Sequence, residues 1–400
     1  MRICVLSRSP VSETLGTDAS FVRMLEKLSE RGHKVHSISY KETKKEREIN
    51  IKNVSCEYIP LTMDRGNEFD KLLKTFIWIL IVPLIVAYKH FFKNRFDVVH
   101  CNDNAPVYWY LIKKFTRVPV ALKFGDIWSL FMQEKKSSIV RFVFKLLFLL
   151  EKKIMWKSVD RIQPHSLPLK KYLLDLGLSE EKLDITPETI DFNFFKDLKI
   201  DKAQARRRLN YTEKDNLIVF HGFIDTFKRV ETLIYATPII LEEFSNSKIV
   251  IVGDGTPLRE LKRITQELKL EKNILFTGWV EFNKLLEYVL AADIAVSLRG
   301  KNFANNFIVT TSALQDLAAG KALVAPKLAA QEWLFGTEGV ALLYEPEDPE
   351  DLAEKIMYLI KNPQARREMG LKARGFAKNH DKEIIAEKTV RSIEKTIKKI

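Results

Sequence analysis

Two periods of hydrophobic and polar positions alternate along the chain. ICVLS (from Ile3) and KVHSISY (from Lys34) read as short strands, and between them Ala19 to Arg31 places Phe21, Val22, Leu25 and Leu28 at helical spacing. FDVVH, VPVALKF and DRIQPHS continue the strand series. Strands alternating with helices predict a parallel sheet covered by helices. Gly32 suits a left-handed end to the first helix, with the next strand starting at once. From Asn216 the alternation starts again: LIVFHG, a helix around Val230 to Phe244, KIVIVGDG, a helix over Leu258 to Leu268, NILFTG, a helix over Asn283 to Ala291, DIAVSL, a helix over Ala313 to Ala319, and ALVAP. The two series predict two doubly wound α/β domains, 1–195 and 196–375, joined through Pro187 to Asn210. A last basic helix over 376–400 keeps Ile393, Ile397 and Ile400 on one face and needs an apolar surface to lie on.

Composition agrees with two cores. The 400 residues exceed what one core usually organises, and 46% apolar with 29% charged residues excludes disordered, fibrous and multispan membrane chains. Three scattered cysteines and an N-terminus without a signal-peptide pattern lead us to expect a reducing, cytoplasmic setting.

Charge adds a partner. The net +13 calls for an anion: nucleic acid, lipid headgroup or phosphorylated small molecule. Lys71 to Lys157 carries 16 Lys and Arg against five Asp and Glu, so most of the excess lies there. The same stretch holds the most apolar runs, Phe76 to Tyr88 and Phe142 to Leu150, flanked by lysines. With about 13 apolar positions and Pro83, the first is expected to be too short to cross a bilayer, which needs roughly 20 residues. Two readings stay open for these runs: core helices with solvated basic flanks, or a surface resting on anionic lipid. No zinc-finger spacing or RNP strand is present, which sets nucleic acid aside.

Open parallel sheets bind ligands beyond the carboxyl ends of their strands. In the second half those loops carry Gly222, Gly253, Gly255 and Gly278, which let backbone amides approach an anion, and Thr310, Thr311 and Ser312 at a helix start. Each glycine alone is also what an ordinary strand-to-helix turn uses. Lys228, six residues after Gly222, can neutralise a diphosphate leaving group or be a plain loop lysine. In the first half His100 and Asp126 follow strand ends, either as groups for an acceptor hydroxyl or as a satisfied strand-end histidine and a helix cap. His165, Glu188 and Glu332 are weaker candidates on the same ground. No metal site and no cofactor are expected.

Residues Ile218 to Ala377, with FHGFIDTFKRVETLIYA, KIVIVGDGTPLRELK, NILFTGWVEFNKLLEYVLAADIAVSL, LQDLAAGKALVAP and LLYEPEDPEDLAEKIMYLIKNPQARREMG, resemble the donor domain of GT-B glycosyltransferases, particularly family 4. The first half is similar to the acceptor domain more loosely, through a loop ending near Gly16 and Thr17, ERGHKV, FDVVHCND, VALKFGDIW and ITPETIDFNFF. The resemblance implies two Rossmann-like domains facing a cleft, a last helix crossing back to the first, and retaining transfer of a sugar from a nucleotide diphosphate sugar. The acceptor it suggests is lipid-linked or polysaccharide. It assigns the diphosphate to Gly222 and Lys228, puts Phe223 where the family has Arg, and puts Phe307 and Gln315 where it has two Glu. Trp279 stands beside Gly278 on the donor side. Asp316, next to Gln315, is turned by about 100° on a helix. Two other outcomes are a GT-B scaffold that has lost catalysis and a nucleotide sugar epimerase or hydrolase.

Overall fold

The computed structural model describes residues 1–8, 18–40, 50–59, 68–102, 107–125, 127, 129–130 and 138–397. Each alternation forms one all-parallel six-stranded sheet. In the first, β1 (Arg2–Ser7), β2 (Lys34–Tyr40), β3 (Val54–Ile59), β4 (Val98–Cys101), β5 (Val120–Phe124) and β6 (Arg161–Pro164) lie in the order β3-β2-β1-β4-β5-β6. In the second, β7 (Asn216–His221), β8 (Ser247–Val252), β9 (Ile274–Gly278), β10 (Ile294–Val296), β11 (Ala322–Pro326) and β12 (Ala341–Tyr344) lie in the order β12-β11-β10-β7-β8-β9. Both are the same doubly wound order, reversing direction between the first and fourth strand of each set. The centres are near-continuous apolar runs, Ile3 to Leu6 in β1 and Leu217 to Phe220 in β7, because helices cover both faces of a parallel sheet.

The chain divides into one unit of Met1–Pro187 with Lys382–Ile400 and a second of Glu188–Asp381. The crossings thus fall at 187/188 and 381/382, where the sequence reading placed boundaries at 195 and 375. The reason is a short bridge inside the second unit: Ile190 pairs with Asp381, and the Ile190 N–H donates to His380 O at 3.0 Å.

Helix Lys382–Ile397 buries Ala386, Val390 and Ile393 in the first unit, in one cluster with Phe21, Leu25 and Leu28 of helix Asp18–Glu30. Its acidic edge meets basic residues in and just after that helix: Arg23 with Glu383 at 2.5 Å, and Arg31 with Glu387 and Glu394 at 2.5 Å each.

The first lysine-flanked run is longer than its sequence suggested. It lies in helix Glu68–Lys89, continued by a π-turn His90–Asn94, and the 22 residues Leu73–Asn94 hold an 18-residue stretch of mean hydropathy 1.8, long and apolar enough by length and composition to cross a membrane. The expectation that it falls short is therefore corrected on length. One face is nonetheless core: Trp78, Val82 and Val86 are fully buried, with Trp78 edge-on to Tyr40 at 4.7 Å. The opposite face is open, with Leu80, Leu84 and Phe92 each at least 60% exposed. Helix Ser138–Leu150 repeats the division, burying Phe144 while Phe142, Leu146 and Leu149 face outward beside exposed Arg141 and Lys145. Neither run is wholly core.

Candidate functional site

Strand order brings the loops after β10, β7, β8 and β9 side by side at the carboxyl end of the second sheet. The turn after β7 is built by Asp225, whose Oδ1 accepts the N–H groups of Phe227 at 2.9 Å and Lys228 at 3.0 Å, an Asx-type turn that folds the chain back on itself. Lys228 is thereby drawn under the loop. It is only 8% exposed, its Nζ lies 5.6 Å from the Phe220 ring centroid, and a Cβ on Gly222 would stand 2.9 Å from that Nζ. Among the described residues no hydrogen bond or ion pair reaches this ammonium. Burial first, and then the nearby Arg299 charge, push it down from the usual lysine value to about 8, against a raising pull from Asp225.

The glycines serve mainly a different purpose from the one expected. A Cβ on Gly253 would meet Gly222 O at 2.0 Å, and one on Gly255 would meet Ile224 O at 1.7 Å. These positions are glycine because two loops lie backbone on backbone. Their amides are engaged as well: Gly222 N–H donates to Val252 O at 3.0 Å, Gly253 N–H to Gly278 O at 3.0 Å, and Gly255 N–H to the Asp254 carboxylate at 2.7 Å. The amides of Gly222, Gly253 and Gly255 are thus engaged within the loops. Gly278 (φ +67°) has open space around it and is glycine for its left-handed backbone. Phe223 and Trp279, after β7 and β9, are 62% and 60% exposed, flat apolar faces at the same end of the sheet.

Helix Thr311–Ala318 starts at this end too. Thr310 caps it, its Oγ1 accepting the Ala313 N–H at 3.3 Å, so this hydroxyl serves the helix. Thr311 and Ser312 head the first turn, where N–H groups lack intrahelical acceptors. Glu188 reaches the same turn, with Thr311 Oγ1 donating to its Oε2 at 3.5 Å. Gln315 is half-buried, while Asp316 points inward and holds His221 Nε2 at 2.9 Å, both side chains being buried. That pair ties the helix to the end of β7 and removes Asp316 from any ribose contact. Phe307, in a short 3₁₀ turn, is buried edge-on to Phe303 at 5.1 Å.

Arg299 is absent from the sequence expectations, although it follows DIAVSL directly; the strand-end rule applied to every cation would have found it. Glu332 lies in helix Ala329–Phe335, following β11.

In the first unit His100 lies inside β4 and is fully buried, which corrects its placement as an open strand-end group. Burial, reinforced by Lys123, pushes its imidazole down to about 3, so it is neutral. His165 follows β6, where a Cβ on Gly125 would stand 2.5 Å from its ring. Gly16, Thr17 and Asp126 lie outside the described residues.

Two open parallel sheets of this order, with glycine-packed loops and a buried lysine beyond the strand ends, define the GT-B class. The profile of the Glycosyltransferase Family 4 matches residues 16–194 and that of the Glycosyl transferases group 1 matches 201–376, so the chain is a member of the GT-B glycosyltransferases resembling family 4. An uncharacterized glycosyltransferase of Methanocaldococcus jannaschii is 27% identical over 231 residues, 57% of this chain and 56% of the relative. A Campylobacter jejuni N-acetylgalactosamine-N,N'-diacetylbacillosaminyl-diphospho-undecaprenol 4-alpha-N-acetylgalactosaminyltransferase is 25% identical over 58% of this chain and 60% of its own length. These matches span little more than half of the relatives' length. Anabaena HepE, solved with UDP and glucose, shares the fold, with a TM-score of 0.71 and 16% identity over 98% of this chain and 99% of that one.

Proposed function

We propose that the chain transfers a hexose, with retention, from a nucleotide diphosphate sugar to a lipid-linked or polysaccharide acceptor at the cytoplasmic face of a membrane. The observation that carries the donor is Lys228, a buried ammonium without an anion partner among the described residues, beneath Gly222 at the carboxyl end of β7. When the bond from the sugar's C1 to the diphosphate oxygen breaks, the electron pair leaves with the diphosphate. A cation already desolvated beside it stabilises that charge without reorganising solvent. The head of helix Thr311–Ala318 adds N–H groups, and Phe223 and Trp279 offer faces for a base or sugar. In this reading the grip needs no metal. UDP in the HepE structure and the diphospho-undecaprenol named for the Campylobacter relative are in keeping with these substrate classes. Retention rests on the family resemblance.

The acceptor side rests on the open faces of helices Glu68–Lys89 and Ser138–Leu150, where large apolar side chains stand beside exposed Lys93, Arg141, Lys145 and Lys153. Such a surface suits anionic lipid, with rings and leucines among the acyl chains and ammonium groups on the headgroups. Purified protein incubated with a panel of nucleotide sugars is expected to gain thermal stability with one of them and to release its diphosphate when a lipid-linked acceptor is added. No response to any sugar nucleotide overturns the reading.

A second reading, a scaffold without turnover, is favoured by Phe307 and Gln315, neither of which is a carboxylate. Because Phe307 is buried, Gln315→Glu is the cleaner test: activity that appears only in the variant supports decay, and activity lost from an active parent supports a divergent site.

A further inference from the structure

The point where the second sheet reverses its order lies between β7 and β10, which pair directly through Ile294 with Ile218 and Ala295 with Val219. A ligand of a doubly wound sheet sits outside this junction. Lys228 approaches it from the β7 side. From the β10 side the first charged group is Arg299, and the two loops are stitched together next to both cations. Phe227 O, one residue before Lys228, accepts the Gly300 N–H at 2.8 Å and the Asn305 Nδ2 at 3.3 Å. Asn305 is fully buried; its Nδ2 also donates to Gly300 O at 2.8 Å and its Oδ1 accepts from Arg299 Nη1 at 2.9 Å. A buried amide thus holds one edge of the guanidinium while fixing the loop that carries it. Asp225, in the same turn as Lys228, spends its Oδ1 on backbone N–H groups. The Arg299 charge is felt at Lys228, and two like charges on loops held together in a largely buried junction favour an anion that joins them.

We propose that Arg299 is the second cation of the diphosphate grip, binding the donor's phosphates together with Lys228 across the β7–β10 junction. The assignment rests on the nucleotide diphosphate reading above and deepens it. A planar guanidinium adds what an ammonium cannot, two parallel donors that match two phosphate oxygens. It also makes the position after β10, rather than Phe223, the source of the site's second positive charge.

Calorimetric titration with UDP, GDP, ADP and their monophosphates tests this on wild type, Arg299→Met and Arg299→Lys, with thermal melts to establish that each variant is folded. Wild type is expected to prefer one diphosphate over its own monophosphate. In Arg299→Met that preference falls by about tenfold or more while monophosphate affinity changes little, and Arg299→Lys recovers part of it. Arg299→Met also moves the loss of diphosphate affinity at alkaline pH to a higher pH, because Lys228 no longer feels a neighbouring charge. A folded Arg299→Met with the wild-type preference and the wild-type pH profile overturns the assignment and leaves the donor reading standing. Wild-type protein that binds no diphosphate overturns both.

Discussion

The two units repeat one strand order and use it differently. In the second, the loops at the carboxyl end lie backbone on backbone, Gly253 against Gly222 and Gly255 against Ile224, and ionisable groups are held inside: Lys228, Lys321 and the His221–Asp316 pair. In the first, the conspicuous feature is on the flanks, where helices Glu68–Lys89 and Ser138–Leu150 keep one face in the core and leave another apolar face open among basic residues. A shared topology sets where a site can be. Loop chemistry in one copy and helix surface in the other decide what each copy does.

The sharpest test of this division is Lys228→Met. Transfer and diphosphate binding are expected to fall by about 10² to 10³, the scale of losing one preorganised charge contact, while the melting temperature holds or rises because a buried charge is gone. Steady-state rates and thermal melts check both halves.

Glycine roles come next. Gly255→Ala forces a Cβ against Ile224 O and is expected to cost on the order of 3 kcal/mol, whereas Gly32→Ala, at φ +75° with nothing within 4 Å, costs about 1 kcal/mol by denaturant unfolding. Similar losses at the two positions break the view that the second unit's loops lie backbone on backbone.

For the flanks, Leu84→Glu with Leu146→Glu is expected to weaken flotation with anionic liposomes about tenfold. Leu371→Glu, at a still more exposed leucine of the second unit, leaves it unchanged. Equal effects from both would return the open faces to ordinary surface.

The smallest effect is in pH. Burial pushes Lys321 down to about 7 and Lys228 to about 8. Between these values and the usual lysine value the unfolded chain binds more protons, so the second unit gains stability as pH rises above about 7. In the first unit burial pushes Glu151 up to about 7, against the Ser129 hydroxyl, so the folded state binds the extra proton and stability falls as pH rises from the usual glutamate value to about 7. His100, pushed down to about 3, opposes that trend over the acid range. Glu151→Gln is expected to remove the fall and Lys321→Met to flatten the alkaline rise, each moving the thermal midpoint on the order of 3 °C.

Much of this was legible because it is periodic. Strand and helix alternation needs only the spacing of apolar residues, and the restart at Asn216 gives two sheets. Lys228 was legible because it stands a short loop beyond a strand. What escaped depends on which loops become neighbours. Arg299 and Lys228 are 71 positions apart in sequence and meet because β10 pairs with β7. The need for glycine at 255 comes from a carbonyl 31 residues away. His100 was misplaced for a related reason: FDVVH ends in a polar residue, and it is the pairing of β4 with β1 and β5 that carries the strand one residue further into Cys101.

The crossings at 187/188 and 381/382 make the second unit a guest inserted in the sequence of the first. On the ribosome the guest's 194 residues emerge whole before helix Lys382–Ile397 exists, so the second sheet can close while the first still lacks the helix that covers Leu25 and Leu28. The N-terminal half therefore waits through synthesis with an apolar groove and with Arg31 lacking its glutamates, Arg23 being held meanwhile by Glu26 and Glu30 of its own helix, until helix Lys382–Ile397 covers it.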